Sequence, residues 1–218
     1  MSNHPAPQSA RWDVVIPLKA IASAKSRLEL GAMRPRLAWT MARDTVVAVA
    51  ECEAVRRIVV VTADTTTWRS LPIRGLTVLS DPGGGLQQAV RTGVDAVAKP
   101  SEQRGIAVLT GDLPAARSSE WATAFELAER HPMSFIADTA GTGTTAFFMR
   151  SDSSRLPRFG ERSRTAHLDM GAVELSHPSF TTVRRDVDTR DDLREALALG
   201  VGPNTQALMR TSHDVPLQ

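Results

Sequence analysis

Cysteine occurs once in this chain, as Cys52, which excludes an internal disulfide and any zinc site built on a cysteine cluster. Its expected place is the end of a helix, as an inert thiol. No stretch of 18 apolar residues occurs, so no membrane-spanning helix is expected, and the opening "MSNHPAPQSAR" has no apolar core of a secretory signal. The expected compartment is therefore cytoplasmic. There is no basic run, and the formal net charge is only +2, which argues against a nucleic-acid-binding tail. No GxxxxGK[ST] stretch is found, which excludes a P-loop. Lysine is scarce: three lysines stand against 23 arginines. Two of those three, Lys19 and Lys25, fall in the single stretch "PLKAIASAKSRL".

The remaining composition is ordinary for a globular protein. Of 218 residues, 42% are hydrophobic and 23% charged, enough for one sizeable α/β domain with a buried core. Short apolar runs predict strands at Trp12–Leu18, Arg57–Thr62, Leu76–Ser80, Ile106–Thr110, Ser134–Asp138, Thr144–Met149 and Thr181–Arg185. The runs "RIVVVTA" and "IAVLTGD" are apolar on both faces, as central parallel strands are. Helices are predicted over Pro35–Glu51, Leu86–Ala98, Ser118–His131 and Thr189–Leu199, the last stopping at Gly200. Strand–helix–strand repetition argues for a doubly wound sheet, with an antiparallel extension after residue 133. Residues 1–10 read as a flexible N-terminus, 11–203 as one domain and 204–218 as a loose tail.

In open α/β sheets, ligands bind outside the carboxyl ends of the strands. Lys19, Lys25 and Arg27 follow the end of the first strand, among small residues that let backbone N–H groups approach a ligand. Cations there can neutralise a polyphosphate; a solvated surface turn is the alternative. Asp112 in "VLTGDLPAA" ends a buried strand, where a carboxylate is costly unless it is paired or binds a metal. Capping of a helix near Pro114 is the competing role. Asp186 and Asp188 stand at strand spacing and face one side, although Asp188 also fits a helix cap. Gly83, Gly84 and Gly85 precede a helix and admit a flat ligand such as a base or ribose, or simply form a turn. "ADTAGTGTTAFF" and "RFGERSRTAH" are small-residue turns able to hold a small anion. The donors would be backbone N–H and hydroxyl groups, and a plain turn is the alternative for each. Arg158, Arg162 and Arg164 flank the second turn. His167 is an acid–base candidate or a structural hydrogen-bonder.

Taken in order, "PLKAIASAKSRL", "DPGGGLQQAV", "TGDLPA", "ADTAGTGTTAFF", "RFGERSRTAH", "DVDTRDDL" and "LGVGPNT" resemble one family over residues 13 to 203. The chain resembles the guanylyltransferases that make the activated phospho-acid of deazaflavin coenzyme F(420). The resemblance implies a Rossmann-like nucleotidyltransferase fold of glycosyltransferase-A type, a mixed sheet with helices on both faces. It implies Mg²⁺ held by Asp112 and Asp188, and a phospho-acid held by Thr144, Gly160 and Ser163. GTP would meet Lys19, Lys25, Arg27, Gly84, Gly85 and Gln87, with Lys25 facing its phosphates. Where the family commonly has "GLN", this chain has Gly85-Leu86-Gln87. The implied reaction transfers GMP from GTP to phosphoenolpyruvate or 2-phospho-L-lactate, with release of diphosphate. It needs in-line positioning and charge neutralisation rather than a protein nucleophile, which suits a chain without a Ser–His–Asp set. A sugar-phosphate or molybdopterin nucleotidyltransferase is the rival, but its glycine-rich "LAGG" loop is missing here. An inactive nucleotide-binding regulator is a further alternative. The expected partners are GTP and a small phospho-acid, without nucleic acid or membrane, and a homodimer is left open.

Overall fold

Successive residues of the first strand point to opposite faces, and both faces are covered. Val14 and Ile16 join one buried cluster, with Trp121 and Phe125, and Val15 joins another, with Val90 and Val94. The computed structural model describes residues 12–18, 31–98, 104–151, 153 and 155–211. Among these, seven strands form one sheet: β1 (Trp12–Pro17), β2 (Val55–Thr62), β3 (Leu76–Ser80), β4 (Gly105–Leu109), β5 (Met133–Ala137), β6 (Thr144–Arg150) and β7 (Val173–Glu174). Their spatial order is β3-β2-β1-β4-β6-β5-β7. β1 pairs in parallel with β2 and β4, β2 with β3, and β5 with β7, whereas β6 runs antiparallel to both of its neighbours. The expected antiparallel extension is thus one reversed strand.

The helices α1 (Arg34–Ala50) and α4 (Ser118–Ala128) cover one face, and α3 (Leu86–Val97) covers the other. α3 starts after three glycines that all hold positive φ (Gly83 81°, Gly84 80°, Gly85 89°), a conformation that side chains rarely adopt. A short helix, α2 (Thr65–Arg69), follows β2, and α5 (Ser163–Asp169) precedes β7. α6 (Arg190–Leu199) carries a capping box between Thr189 and Asp192. Cys52 lies just beyond α1, as expected, and burial raises the pKa of its thiol.

Two expectations are corrected. Thr181–Arg185 is a run of turns rather than a strand. Its backbone donors find a buried carboxylate instead of a sheet partner. Glu120 of α4 accepts the N–H groups of Thr181 (3.0 Å), Thr182 (3.0 Å) and Val183 (3.2 Å). Residues 204–211 are not a loose tail either, because Pro203–Thr211 forms α7, while residues 212–218 of the expected tail lie outside the described residues. The buried carboxylate of Asp44 on α1 accepts the N–H groups of Asn204 (3.1 Å) and Thr205 (2.8 Å). These are donors of the first turn, which a helix cannot satisfy by itself. Leu208 is buried with Leu37, Met41 and Leu193.

α3 approaches the sheet closely at Gly93, where a Cβ would lie 2.3 Å from Val15 Cγ1 and 3.1 Å from Val61 Cγ2. Both neighbours are stiff β-branched side chains in the core. Gly93→Ala should therefore lower the Tm, although alanine favours the helix by about 1 kcal/mol, because overpacking costs about 1–3 kcal/mol. A Tm at or above that of the parent would show that α3 can move off the sheet without loss.

Candidate functional site

The chain runs outward from β1 through β2 to β3, then returns to β4 on the other side of β1, so the order reverses between β1 and β4. Such a reversal leaves a crevice beyond the carboxyl ends of the two strands. A cavity of about 600 Å³ lies there. Pro17 and Leu18 line it from β1, and Thr110, Gly111 and Asp112 from the end of β4. Asp138, Thr142, Gly143 and Thr144 come from the β5–β6 turn, and Phe159–Ser163 from the segment before α5. Asp186 and Asp188 enter from the segment before α6. Trp39 and Trp68, in edge contact with centroids 4.8 Å apart, close the side toward α1.

The polar path from Glu120 onward explains how Asp186 and Asp188 reach this wall. After the Glu120 contacts, the guanidinium of Arg184 donates to the carbonyls of Ala137 (3.0 Å) and Asp138 (2.8 Å) at the end of β5. The N–H of Val187 then donates to the carbonyl of Asp112 at 3.1 Å. Val187 is buried among α1, α6 and α7, while its neighbours Asp186 and Asp188 line the cavity. The strand-like alternation of the two aspartates therefore survives outside a sheet. The capping alternatives fall to other residues. Thr189 caps α6, its Oγ1 accepting the N–H of Asp192 at 3.2 Å. α4 begins at Ser118, with Arg117 in the cap position, well beyond Asp112.

The β5–β6 turn already contains its own anion. Asp138 accepts the N–H groups of Thr142 (2.9 Å) and Gly143 (2.8 Å), so these donors are not offered to an external anion as expected. In the other turn the N–H of Ser163 goes to the carbonyl of Gly160 at 3.2 Å. The side-chain hydroxyl of Ser163 is the donor left over there. Ser163 is 2% exposed, and among the described residues its Oγ has no hydrogen-bond partner; the same holds for the buried Oγ1 of Thr110. An unmatched buried hydroxyl costs about 1–3 kcal/mol, so both are suited to meet a ligand. Thr110, Asp138 and Glu161 are wall residues that the sequence motifs did not single out; only the position of Thr110 and Asp138 at strand ends pointed to them. Of the three flanking arginines, Arg162 lines the cavity, while Arg164 pairs with Glu174 at 2.8 Å. Arg162 holds φ 59°, the one positive φ outside glycine among the described residues. A left-handed residue of this kind is strained by about 1–2 kcal/mol.

Asp112, Asp188, Thr144, Gly160 and Ser163 thus share one wall. Of the glycine turn, Leu86 lines the cavity, whereas Gly84, Gly85 and Gln87 do not. The amide of Gln87 donates to the carbonyl of Phe159 at 3.2 Å, which links α3 to the Phe159–Ser163 turn. Lys19, Lys25 and Arg27 lie outside the described residues. The described wall carries five carboxylates (Asp112, Asp138, Glu161, Asp186, Asp188) against the single cation of Arg162.

His167 of α5 is fully buried beneath this wall. Its Nε2 accepts the N–H of Arg158 at 2.9 Å, and its Nδ1 lies 3.0 Å from Thr144 Oγ1. Burial lowers its pKa from 6.5 to about 4. The unfolded chain takes up this proton near pH 6.5 and the folded chain only near pH 4. His167 therefore draws stability down as the pH falls through that window and has no such effect above it. Between pH 7 and 5, the parent should lose about 2 kcal/mol more stability than His167→Gln, measured by urea unfolding. Equal losses would mean that the ring can be protonated in the folded state.

Residues 12–215 match the family described as guanylyl transferase CofC like. The chain is 44% identical over 202 residues to the phosphoenolpyruvate guanylyltransferase of Streptomyces coelicolor, covering 91% of this chain and 95% of that protein. Among solved structures it resembles a protein assigned as a nucleotide-diphospho-sugar transferase from Desulfovibrio desulfuricans. That match has a TM-score of 0.70 and 14% identity, over 93% of this chain and 95% of that one. It also resembles 4-diphosphocytidyl-2C-methyl-D-erythritol synthase from Anaerococcus prevotii, with a TM-score of 0.61 and 10% identity, over 87% of this chain and 96% of that one. The two structural likenesses establish the nucleotidyltransferase fold.

Proposed function

Because the chain belongs to the CofC-like guanylyl transferase family, we propose that it transfers GMP from GTP to phosphoenolpyruvate, a step toward coenzyme F(420). The observation that carries this reading is one cavity lined both by carboxylates, at the end of β4 and in the Asp186–Asp188 segment, and by the hydroxyl residues Thr144 and Ser163. In the reaction, an oxygen of the acceptor phosphate bonds to the α-phosphorus of GTP. The bond from that phosphorus to the α–β bridging oxygen breaks, and diphosphate leaves with the electron pair. The acceptor phosphate is already largely ionised near pH 7, so no strong protein base is required.

The donor set suits Mg²⁺. No group of three or more His, Cys, Asp or Glu side chains that could hold a metal ion occurs among the described residues. Mg²⁺ commonly takes one or two protein carboxylates and fills its shell with water and substrate phosphate oxygens. Asp112 and Asp188 would supply those carboxylates. Bound there, Mg²⁺ would offset charge on the phosphate oxygens in a wall that otherwise repels them. Thr144 and Ser163 would orient the acceptor through their hydroxyls, with Arg162 as a nearby cation. Lys19 and Lys25 follow Leu18 in the chain, and Leu18 is part of the wall; their charges would offset the triphosphate from that rim. The name of the Streptomyces coelicolor relative favours phosphoenolpyruvate over 2-phospho-L-lactate as the acceptor.

Diphosphate release from GTP should depend on both phosphoenolpyruvate and Mg²⁺, with 2-phospho-L-lactate and 3-phosphoglycerate as weaker acceptors. Asp112→Asn should fold normally and lose about 10²–10³-fold in kcat, the range for removing a group that offsets developing charge. Release that persists without Mg²⁺, or full activity in Asp112→Asn, would refute the metal assignment. No release with any of the three acceptors would refute the guanylyl transfer itself.

A further inference from the structure

The motifs leave His167 without a role, yet the structure gives both of its ring nitrogens defined partners. Nε2 faces a backbone N–H, that of Arg158, at 2.9 Å. An N–H can only donate, so Nε2 must be the bare nitrogen and the ring's one proton sits on Nδ1. Nδ1 lies 3.0 Å from Thr144 Oγ1 and therefore donates to it. The ring cannot turn freely out of this arrangement. It is fully buried, with the rings of Phe135, Phe147 and Phe159 at centroid distances of 5.4, 4.7 and 6.1 Å.

We propose that His167 is a positioning residue for the acceptor: its Nδ1–H occupies a lone pair of Thr144 Oγ1, so the Thr144 hydroxyl keeps its own hydrogen for an anionic group in the cavity. A hydroxyl that could choose would accept from one neighbour and donate to another in either sense. Fixed as a donor, it favours an oxygen that only accepts, which is the character of an ionised phosphate or carboxylate. The same ring holds Arg158, two residues before Gly160, so a single side chain ties Thr144 to the Phe159–Ser163 turn. The two acceptor-side elements then keep one spacing. This inference rests on the reading that Thr144 contacts the phospho-acid.

The test compares Thr144→Val, His167→Gln, His167→Asn and the double variant Thr144→Val with His167→Gln, with KM measured separately for phosphoenolpyruvate and GTP. The glutamine carbonyl can still accept from Arg158, but no donor remains at Nδ1; the asparagine amide restores a donor near Nδ1. His167→Gln should raise the KM for phosphoenolpyruvate about tenfold and leave that for GTP within about twofold. His167→Asn should recover part of that loss, and the double variant should be no worse than Thr144→Val alone. The ¹⁵N spectrum of the parent enzyme's imidazole, which needs no variant, should show Nδ1 protonated and Nε2 bare at pH 7. The opposite tautomer, or separate and additive effects of the two substitutions, would overturn the proposal. If Thr144→Val raises the phosphoenolpyruvate KM while His167→Gln leaves it unchanged, the proposal fails and the acceptor site stands. If Thr144→Val leaves that KM unchanged, the acceptor site itself is wrong.

Discussion

Among the described residues, five carboxylates line one cavity with one arginine, and carboxylate charge that no cation offsets repels a ligand carrying several phosphates. This constraint orders the rest of the site. Asp138 is offset within the fold, by the N–H groups of Thr142 and Gly143, and acts as the built-in anion of its own turn. Asp112, Asp186 and Asp188 lie where strands and chain segments end, the position from which side chains reach a ligand. In the proposed reaction, a divalent cation held by Asp112 and Asp188 would offset charge on the phosphates. Two of the three lysines, Lys19 and Lys25, follow β1 in the sequence.

The sheet makes this convergence possible. With β1 at the centre of the parallel half, the ends of β1 and β4 lie side by side, and the crevice between them needs no insertion to exist. The reversed strand β6 adds the acceptor side. Because β6 runs against β4 and β5, its first residue, Thr144, stands at the edge of the sheet where β4 and β5 finish. A parallel strand in that place would present its last residues there and would need a crossover to reach it. The β5–β6 turn and the end of β4 therefore meet at the same cavity, and Arg184 fastens the Asp186–Asp188 segment to the end of β5.

Elements governed by local pattern were legible in the sequence. Two-sided apolar runs marked the central strands, and the capping signals at Thr189 and Gly200 marked α6. The features that were missed depend on one side chain far away in the chain. Thr181–Arg185 has the composition of a strand, but Glu120, some 60 residues earlier, takes its N–H groups. The residues after 203 read as a tail because Asp44, which organises the start of α7, lies 160 positions before Asn204. The site shows the same division. Asp112, Asp188, Thr144, Gly160 and Ser163 were each visible in a motif, and the structure places them on one wall. Which atoms serve a ligand was not visible. The N–H groups of both turns looked available in sequence, whereas Asp138 and Gly160 engage those of Thr142, Gly143 and Ser163 and leave the hydroxyls. The position of Lys19, Lys25 and Arg27 lies outside the described residues.

The two sides of the cavity recognise charge by different physics. In the proposed reaction, cations would match the net charge of the nucleotide, and such attraction tolerates small displacements because it falls off slowly with distance. On the proposed acceptor side the hydroxyls are those of Thr144, over the buried His167 within a ring of phenylalanines, and of Ser163 at the start of α5. Hydrogen bonds from fixed hydroxyls are short and directional, and a displacement of less than 1 Å weakens them steeply. Discrimination among small phospho-acids that differ by a double bond or a hydroxyl demands that kind of rigidity, since a charge match alone treats them as equals. The apolar packing around an uncharged histidine is thus part of substrate choice: it keeps the imidazole neutral and in one tautomer, and through it keeps the donor of Thr144 pointed at the acceptor.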